Sequence, residues 1–373
     1  MNNVYIAADN IFSPVGANTA DNFERLKKGA SGVQKHSNPA IAEEPFYASL
    51  FTDNGQFKSD KYTKFEQLLI TSVNDALQRC DVKPGDEKTI LIISTTKGNI
   101  SMLETQPGRT DLQERVALPT SANLVADYFG FVNTPVVISN ACISGIMAIL
   151  TGLRLIRSGK YENAVIAGAD EITRFVLSGF QSFQAISAEP CKPFDADRTG
   201  ITLGEGAATM ILSSNEKYAD SIKVLSGAVS NDANHISAPS RTGEELAAAI
   251  NKTLKDGGIK AKEIDILSAH GTATSYNDEM EAKALGLAGL QHVPVNSLKG
   301  FYGHTLGAAG LVESIISVQS LRENVFLPTP GFETLGVPVE LNINKKLLAG
   351  NFNTCLKTAS GFGGCNAAVL FSK

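Results

Sequence analysis

Residues Pro135–Lys160 read PVVISNACISGIMAILTGLRLIRSGK. A β-branched run, Val136-Val137-Ile138, gives way to a polar step at Ser139-Asn140 and then to Cys142. From there an apolar stretch continues to Gly159. The pattern predicts a buried strand, a tight turn and a buried helix, with Cys142 at or near the first helical turn. A thiol so placed meets unpaired backbone N–H groups and the positive end of the helix dipole. Both favour the thiolate, the nucleophilic form. The dipole contributes roughly 0.3–2 kcal/mol, enough to bring a thiol from about 8.5 to roughly 7–8. The same stretch also reads as an inert buried cysteine after a strand, because free cysteine is among the most buried residue types.

Outward from this stretch, strands and helices alternate. Val4 to Ala8 reads as a first strand. Thr19 to Lys28 reads as a helix capped by Thr19 or Asp21 and stopped by Gly29. Residues 30–60 show little periodicity and read as loops. Lys61 to Arg79 is an amphipathic helix with Phe65, Leu68, Leu69 and Val73 on one face. Thr89 to Thr95 is apolar on both faces, as in a covered parallel sheet. Glu104 to Glu114 reads as polar and exposed, and Ala122 to Phe129 as a short helix. Further strands are expected at 163–169, 207–212, 222–229, 264–267, 293–297, 353–359 and 367–371, with helices at 243–257, 278–287 and 307–321. Such alternation predicts covered, largely parallel sheets. PVVISNAC plus helix is also echoed by PVNSLKGFYGH plus helix. The echo suggests two similar halves, each delivering chemistry from the C-terminal end of a strand.

Composition narrows the function. The chain has 373 residues, 43% hydrophobic, 19% charged, with formal net charge −5 and no basic run of the kind that binds nucleic acid. The first residues, MNNVYIAADN, carry neither a basic n-region nor an apolar h-region, and no apolar run reaches membrane-spanning length. Five cysteines, scattered and odd in number, with no C-x-x-C pair, suit neither a disulfide framework nor a zinc site. A reducing, cytoplasmic setting is the expectation.

Three turns each place a reactive side chain just after a buried strand: Cys142, His270 in SAHGTATSYND, and His304 in NSLKGFYGHTLGAAG. Adjacent glycines (Gly271, Gly303, Gly307) let backbone approach another group. A lone histidine is more often structural, and His36 and His292 lack this setting; His235, in NDANHISAP, stays open.

An ordered series of motifs now becomes legible: ACISG, PFDADRTGITLGEGA, AHGTATSYNDEMEA, KGFYGHTLGAAGLVES and SGFGGCNAAVLF. It resembles the β-ketoacyl-acyl carrier protein synthases, decarboxylating condensing enzymes of the thiolase superfamily. The resemblance implies an α/β, thiolase-like fold of two similar halves with covered mixed sheets and buried central helices, residues 1–212 carrying the cysteine and 213–373 both histidines. It implies that Cys142 takes an acyl group from a carrier-protein thioester, and that His270 and His304 hold the malonyl thioester oxygen. Lys299 would orient the histidines and Glu313 would accept from Lys299. The backbone N–H groups of Cys142 and Phe362 would form the oxyanion hole. Thr272 and Thr274 would bond the pantetheine arm. Phe362, between Gly361 and Gly363, would act as a movable gate, and Phe180 would line the acyl pocket.

The partners implied are acidic acyl carrier proteins, with Lys61 and Lys64 as docking candidates, and a second subunit, as homodimer or heterodimer; no cofactor or metal is required. Two other readings stand beside this one: a thiolase, because Cys365 lies in the C-terminal loop, and a non-catalytic chain-length-determining partner subunit. The chain departs from the pattern at Ser139-Asn140, at Ile143, at Gln184 (where arginine is common) and in its shorter length. A specialised polyene or polyketide synthase is therefore as consistent as a housekeeping one.

Overall fold

The β-branched runs form strands, and they assemble into a ten-stranded sheet. A computed structural model describes residues 3–52, 55–234 and 238–373; His235 lies outside the described residues. Strand order is Val136–Ile138, Thr89–Ser94, Asn163–Asp170, Gly206–Ser213, Tyr5–Phe12, then Lys223–Asn231, Cys365–Ser372, Thr354–Gly361, Ile266–Ser268 and Val295–Asn296. The sheet is thin at its middle. Tyr5 opposite Lys223 is the one register pair there, supplemented by the Ile6 N–H to Ile222 O and Val224 N–H to Val4 O bonds, both 2.9 Å.

Outward from that join the two halves repeat each other. In each, two antiparallel pairings are followed by two parallel ones. Val136–Ile138 and Val295–Asn296 are thus equivalent outer strands. Each feeds a turn and then a buried helix, Ser144–Arg157 in one half and Ala309–Glu323 in the other. These two helices pack on each other and touch strands of both halves, so they form a central layer. Lys64–Gln78 covers the outer face of the first half and Glu244–Gly257 that of the second. Ala309–Glu323 is buried along nearly its whole length, as a helix enclosed on all sides must be. The central helices approach closely at Gly145, where a Cβ would stand 2.5 Å from the Leu311 nitrogen.

Local chemistry explains where the elements begin. The expected helix from Lys61 starts at Lys64 because Thr63 and Glu66 form a capping box. The first helix, Thr19–Lys27, is capped by Asn18 rather than by Thr19 or Asp21. Residues 30–60 are not all loop. Val33–His36 and Phe46–Ser49 pair antiparallel, and Phe46–Ser49 continues in parallel onto Leu203–Gly204. Those strands are too short to show a period. Within the polar 104–114 segment, short helical turns occur at Met102–Thr105 and Leu112–Arg115. Among the described residues no helix is long and apolar enough to cross a membrane.

Candidate active site

Cys142 sits two residues ahead of the Ser144–Arg157 helix, on a sharp elbow. Ala141 there adopts φ +42°, a left-handed conformation that L side chains resist. The elbow is held by Ser144, whose hydroxyl accepts the Asn140 N–H at 2.8 Å and donates to Ala141 O at 2.7 Å.

His304 hangs from the equivalent turn of the other half. Its backbone is strapped to the PFDADRTGITLGEGA block: its N–H donates to Thr202 O at 2.7 Å and its carbonyl accepts from Gly204 at 3.0 Å. Gly303, at φ +66°, allows this, since a Cβ would fall 2.2 Å from Leu203 O. Asp170, from the first half, accepts the Gly307 N–H at 2.7 Å and ties down the far side of the turn. His270 follows the Ile266–Ser268 strand. Glu281 accepts the N–H groups of His270 (2.6 Å) and Gly271 (2.8 Å).

The three side chains meet. The Cys142 sulfur and one ring nitrogen from each histidine lie within 4.8 Å of one another. The imidazoles are nearly perpendicular, centroids 5.2 Å apart. Their tautomers follow from their partners. Leu306 N–H donates to His304 Nδ1 at 3.1 Å, so the proton resides on Nε2, a buried atom with no protein partner. The Lys299 ammonium stands 3.4 Å from His270 Nδ1, which again leaves the proton on Nε2. Burial, then the nearby cations Lys299 and Lys357, push both histidines well below their ordinary range, with His304 adding to the effect on His270. Both rings are therefore neutral at pH 7 and offer N–H donors to one spot. Three donors at this spacing could also ligate a metal ion. Protonated Nε2 atoms donate rather than ligate, however, and an adjacent ammonium repels a cation.

Behind the rings lies a charge cluster. Lys299 Nζ contacts Glu313 Oε1 at 2.6 Å and donates to His270 O at 2.7 Å. Glu313 Oε2 pairs with a second buried lysine, Lys357, at 2.7 Å. The sequence reading missed Lys357: a lysine inside the buried strand Thr354–Gly361 has no periodic signature.

The thiol overturns one expectation. Burial pushes Cys142 up to about 12, with the nearby Cys365 adding and Lys299 and the Phe362 N–H opposing. The helix dipole does not produce a resting thiolate, because desolvation outweighs it and the Ile143 and Ser144 N–H groups bond locally to Asn140 O and Ala141 O. Alkylation by iodoacetamide should accordingly climb about tenfold per pH unit between about pH 6 and 9, without a plateau. A plateau near pH 7–8 would restore the thiolate.

A cavity of about 350 Å³ opens onto these atoms, lined by Cys142, His270, His304, Thr272, Thr274, Phe180, Gly361 and Phe362 among others. Lys299 and Glu313 sit behind it, and Gly363 is not on its wall. Phe183, which the sequence reading did not assign to the pocket, also lines it, as does Gln184, the departure from the family pattern expected near the dimer contact and acyl pocket. The Phe362 ring stacks on Phe180 (5.6 Å) and meets Phe183 edge-on (5.4 Å). Cys365 is buried off the cavity wall, its sulfur 3.4 Å from Phe362 O. Lys64 is largely committed elsewhere, at 2.7 Å from the buried carboxylate of Glu205.

Comparison with known proteins agrees with this geometry. The profile of the β-ketoacyl synthase N-terminal domain matches residues 1–218, and that of the C-terminal domain matches residues 222–333. The chain belongs to the β-ketoacyl synthase family. The 3-oxoacyl-[acyl-carrier-protein] synthase 2 of Vibrio cholerae is 30% identical over 414 residues, 99% of each chain. The synthase 2 of Staphylococcus aureus is 25% identical over 415 residues, 99% of this chain and 98% of the relative. Among solved structures, the ishigamide ketosynthase/chain length factor superposes with TM-score 0.91 at 23% identity, covering 100% and 99% of the two chains. A chain of the complex of the ketosynthase ApeO with its chain length factor ApeC from Xenorhabdus doucetiae gives 0.89 at 25%, covering 100% and 98%. This β-ketoacyl synthase thus has the thiolase-like ketosynthase fold over its whole length.

Proposed function

We propose that this chain condenses an acyl group, carried on Cys142, with a malonyl thioester, releasing carbon dioxide and a β-ketoacyl thioester, both substrates presented by acyl carrier protein. The observation that carries this is the convergence of one sulfur and two Nε2–H donors at the floor of a single cavity. In the first half-reaction the Cys142 sulfur attacks the acyl thioester. The departing carrier thiolate takes up the proton the thiol loses, so no strong external base is needed and a raised thiol pKa is tolerated. Cys142 N–H, beside the Gly361 backbone, and Phe362 N–H are the donors for the tetrahedral oxyanion. In the second, the malonyl C–C bond breaks. The electron pair becomes an enolate whose oxygen is held by His270 and His304. The α-carbon attacks the acyl-Cys142 carbonyl, expelling the Cys142 thiolate, which takes up one proton from solvent to restore the thiol. Neutral imidazoles suit this: they donate to developing charge without first surrendering a proton to bulk. Thr272 and Thr274, bonded to each other at 2.8 Å on the cavity wall, would hold the arm of the carrier.

The thiolase reading would require Cys365 at the reacting carbon, and its sulfur is turned from the cavity. The non-catalytic reading leaves the Cys142–His270–His304 arrangement without use. We expect a dimer, formed through the half-exposed edge of Val136–Ile138. Incubating the purified chain with acyl- and malonyl-carrier protein tests the reaction: a β-ketoacyl-carrier protein and one carbon dioxide per turnover are expected. Self-condensation of acetyl thioesters without malonate, abolished by Cys365→Ala, would overturn it.

A further inference from the structure

A second fully buried ammonium beside the first has a cost that must be offset, because each charge loses its hydration. Lys357 is 0% exposed, within a strand that otherwise carries apolar and small side chains. Its Nζ pairs with Glu313 Oε2 at 2.7 Å and donates to Ala269 O at 3.0 Å and Ser268 O at 3.3 Å. Lys299 takes the other carboxylate oxygen and the carbonyl of His270. The two lysines thus gather three consecutive carbonyls, those of residues 268, 269 and 270, around one bridging carboxylate. The N–H side of the same turn is held by Glu281, which also accepts from Thr358, the neighbour of Lys357.

We propose that Lys357 is a positioning residue for decarboxylation: with Glu313 it clamps the turn that carries His270 and keeps a second positive charge behind the histidine pair, so that both rings present Nε2–H to the developing enolate. This rests on the condensation reading above. The charged groups facing the two rings are Lys299, Lys357 and Glu313 from behind and Glu281 at the His270 backbone, with the titratable but neutral Cys142 thiol in front. The cations oppose ring protonation, which at His304 would set an Nδ1–H against the Leu306 N–H and displace the ring.

The test compares full-length Lys357→Met and Lys357→Gln with wild type in two assays: acylation of Cys142 from acyl-carrier protein, and decarboxylation of malonyl-carrier protein across pH. Acylation should stay within about threefold. Decarboxylation should slow by about 10–100-fold, and its acid inflection should move up by roughly one pH unit, since loss of a cation lets the rings protonate sooner. The Gln variant, which keeps a donor but no charge, should share the pH shift and recover part of the rate. The proposal is overturned by equal losses in both assays with an unmoved inflection, by wild-type behaviour in both variants, or by failure of both variants to fold, which would assign Lys357 to stability alone. A wild-type chain that never decarboxylates the malonyl thioester would sink the condensation reading, and this proposal with it.

Discussion

Cys142→Ala should form no acyl-enzyme, and condensation should fall by at least about 10³-fold. Among the described residues the Cys142 sulfur is the one thiol on the cavity wall; the Cys365 sulfur lies off that wall, against Phe362 O. The substitution removes little volume and leaves the elbow's Ser144 clamp intact, so the fold should survive. Intact-mass measurement after incubation with acyl-carrier protein checks it. An adduct of acyl mass on the variant, or activity within tenfold of wild type, would show that the nucleophile lies elsewhere.

The second large effect is expected at His304. His304→Ala deletes the one Nε2 atom that is buried in the site without a protein partner. If that atom binds the enolate oxygen, decarboxylation should drop by about 10²–10³-fold, the usual consequence of losing one oxyanion donor. Acylation, for which the Cys142 and Phe362 backbone N–H groups are the proposed donors, should change by less than about tenfold. The variant should therefore accumulate acyl-Cys142, and the mass of that adduct would identify the acyl chain the pocket prefers. Equal losses in the two half-reactions would place His304 in folding or in thiol activation instead.

Much of this was legible in the chain because the reactive residues follow strands. Cys142, His270 and His304 each stand where an apolar run breaks into a turn, although the Val136–Ile138 run proves half-buried rather than buried. The halves echo because Val136–Ile138 and Val295–Asn296 hold equivalent places in the sheet. What escaped depends on pairing between distant segments. Lys357 resembles any lysine in a strand until Glu313 is found opposite it. Lys64 looks like a surface lysine on a helix, whereas Glu205, buried and far along the chain, holds it. The acidity expected of Cys142 counted the local helix. It could not count the C-terminal loop, whose Gly361 packs so closely that a Cβ there would stand 2.9 Å from the Cys142 nitrogen. Phe183 was missed because it reaches the wall from the end of the Arg174–Ser182 helix, outside any motif.

Phe362 sits between the rings of Phe180 and Phe183. Each such contact is worth about 0.5–1.5 kcal/mol, so the gate motion that the family resemblance implies, withdrawing the ring to admit a chain, would cost roughly 1–3 kcal/mol. The free protein would then spend only about 1–20% of its time ajar, and the apparent affinity for an incoming acyl chain would be weakened by that fraction. Trimming either flanking phenylalanine should thus speed substrate capture while also letting water reach the acyl thioester more often, a trade between turnover and leakage.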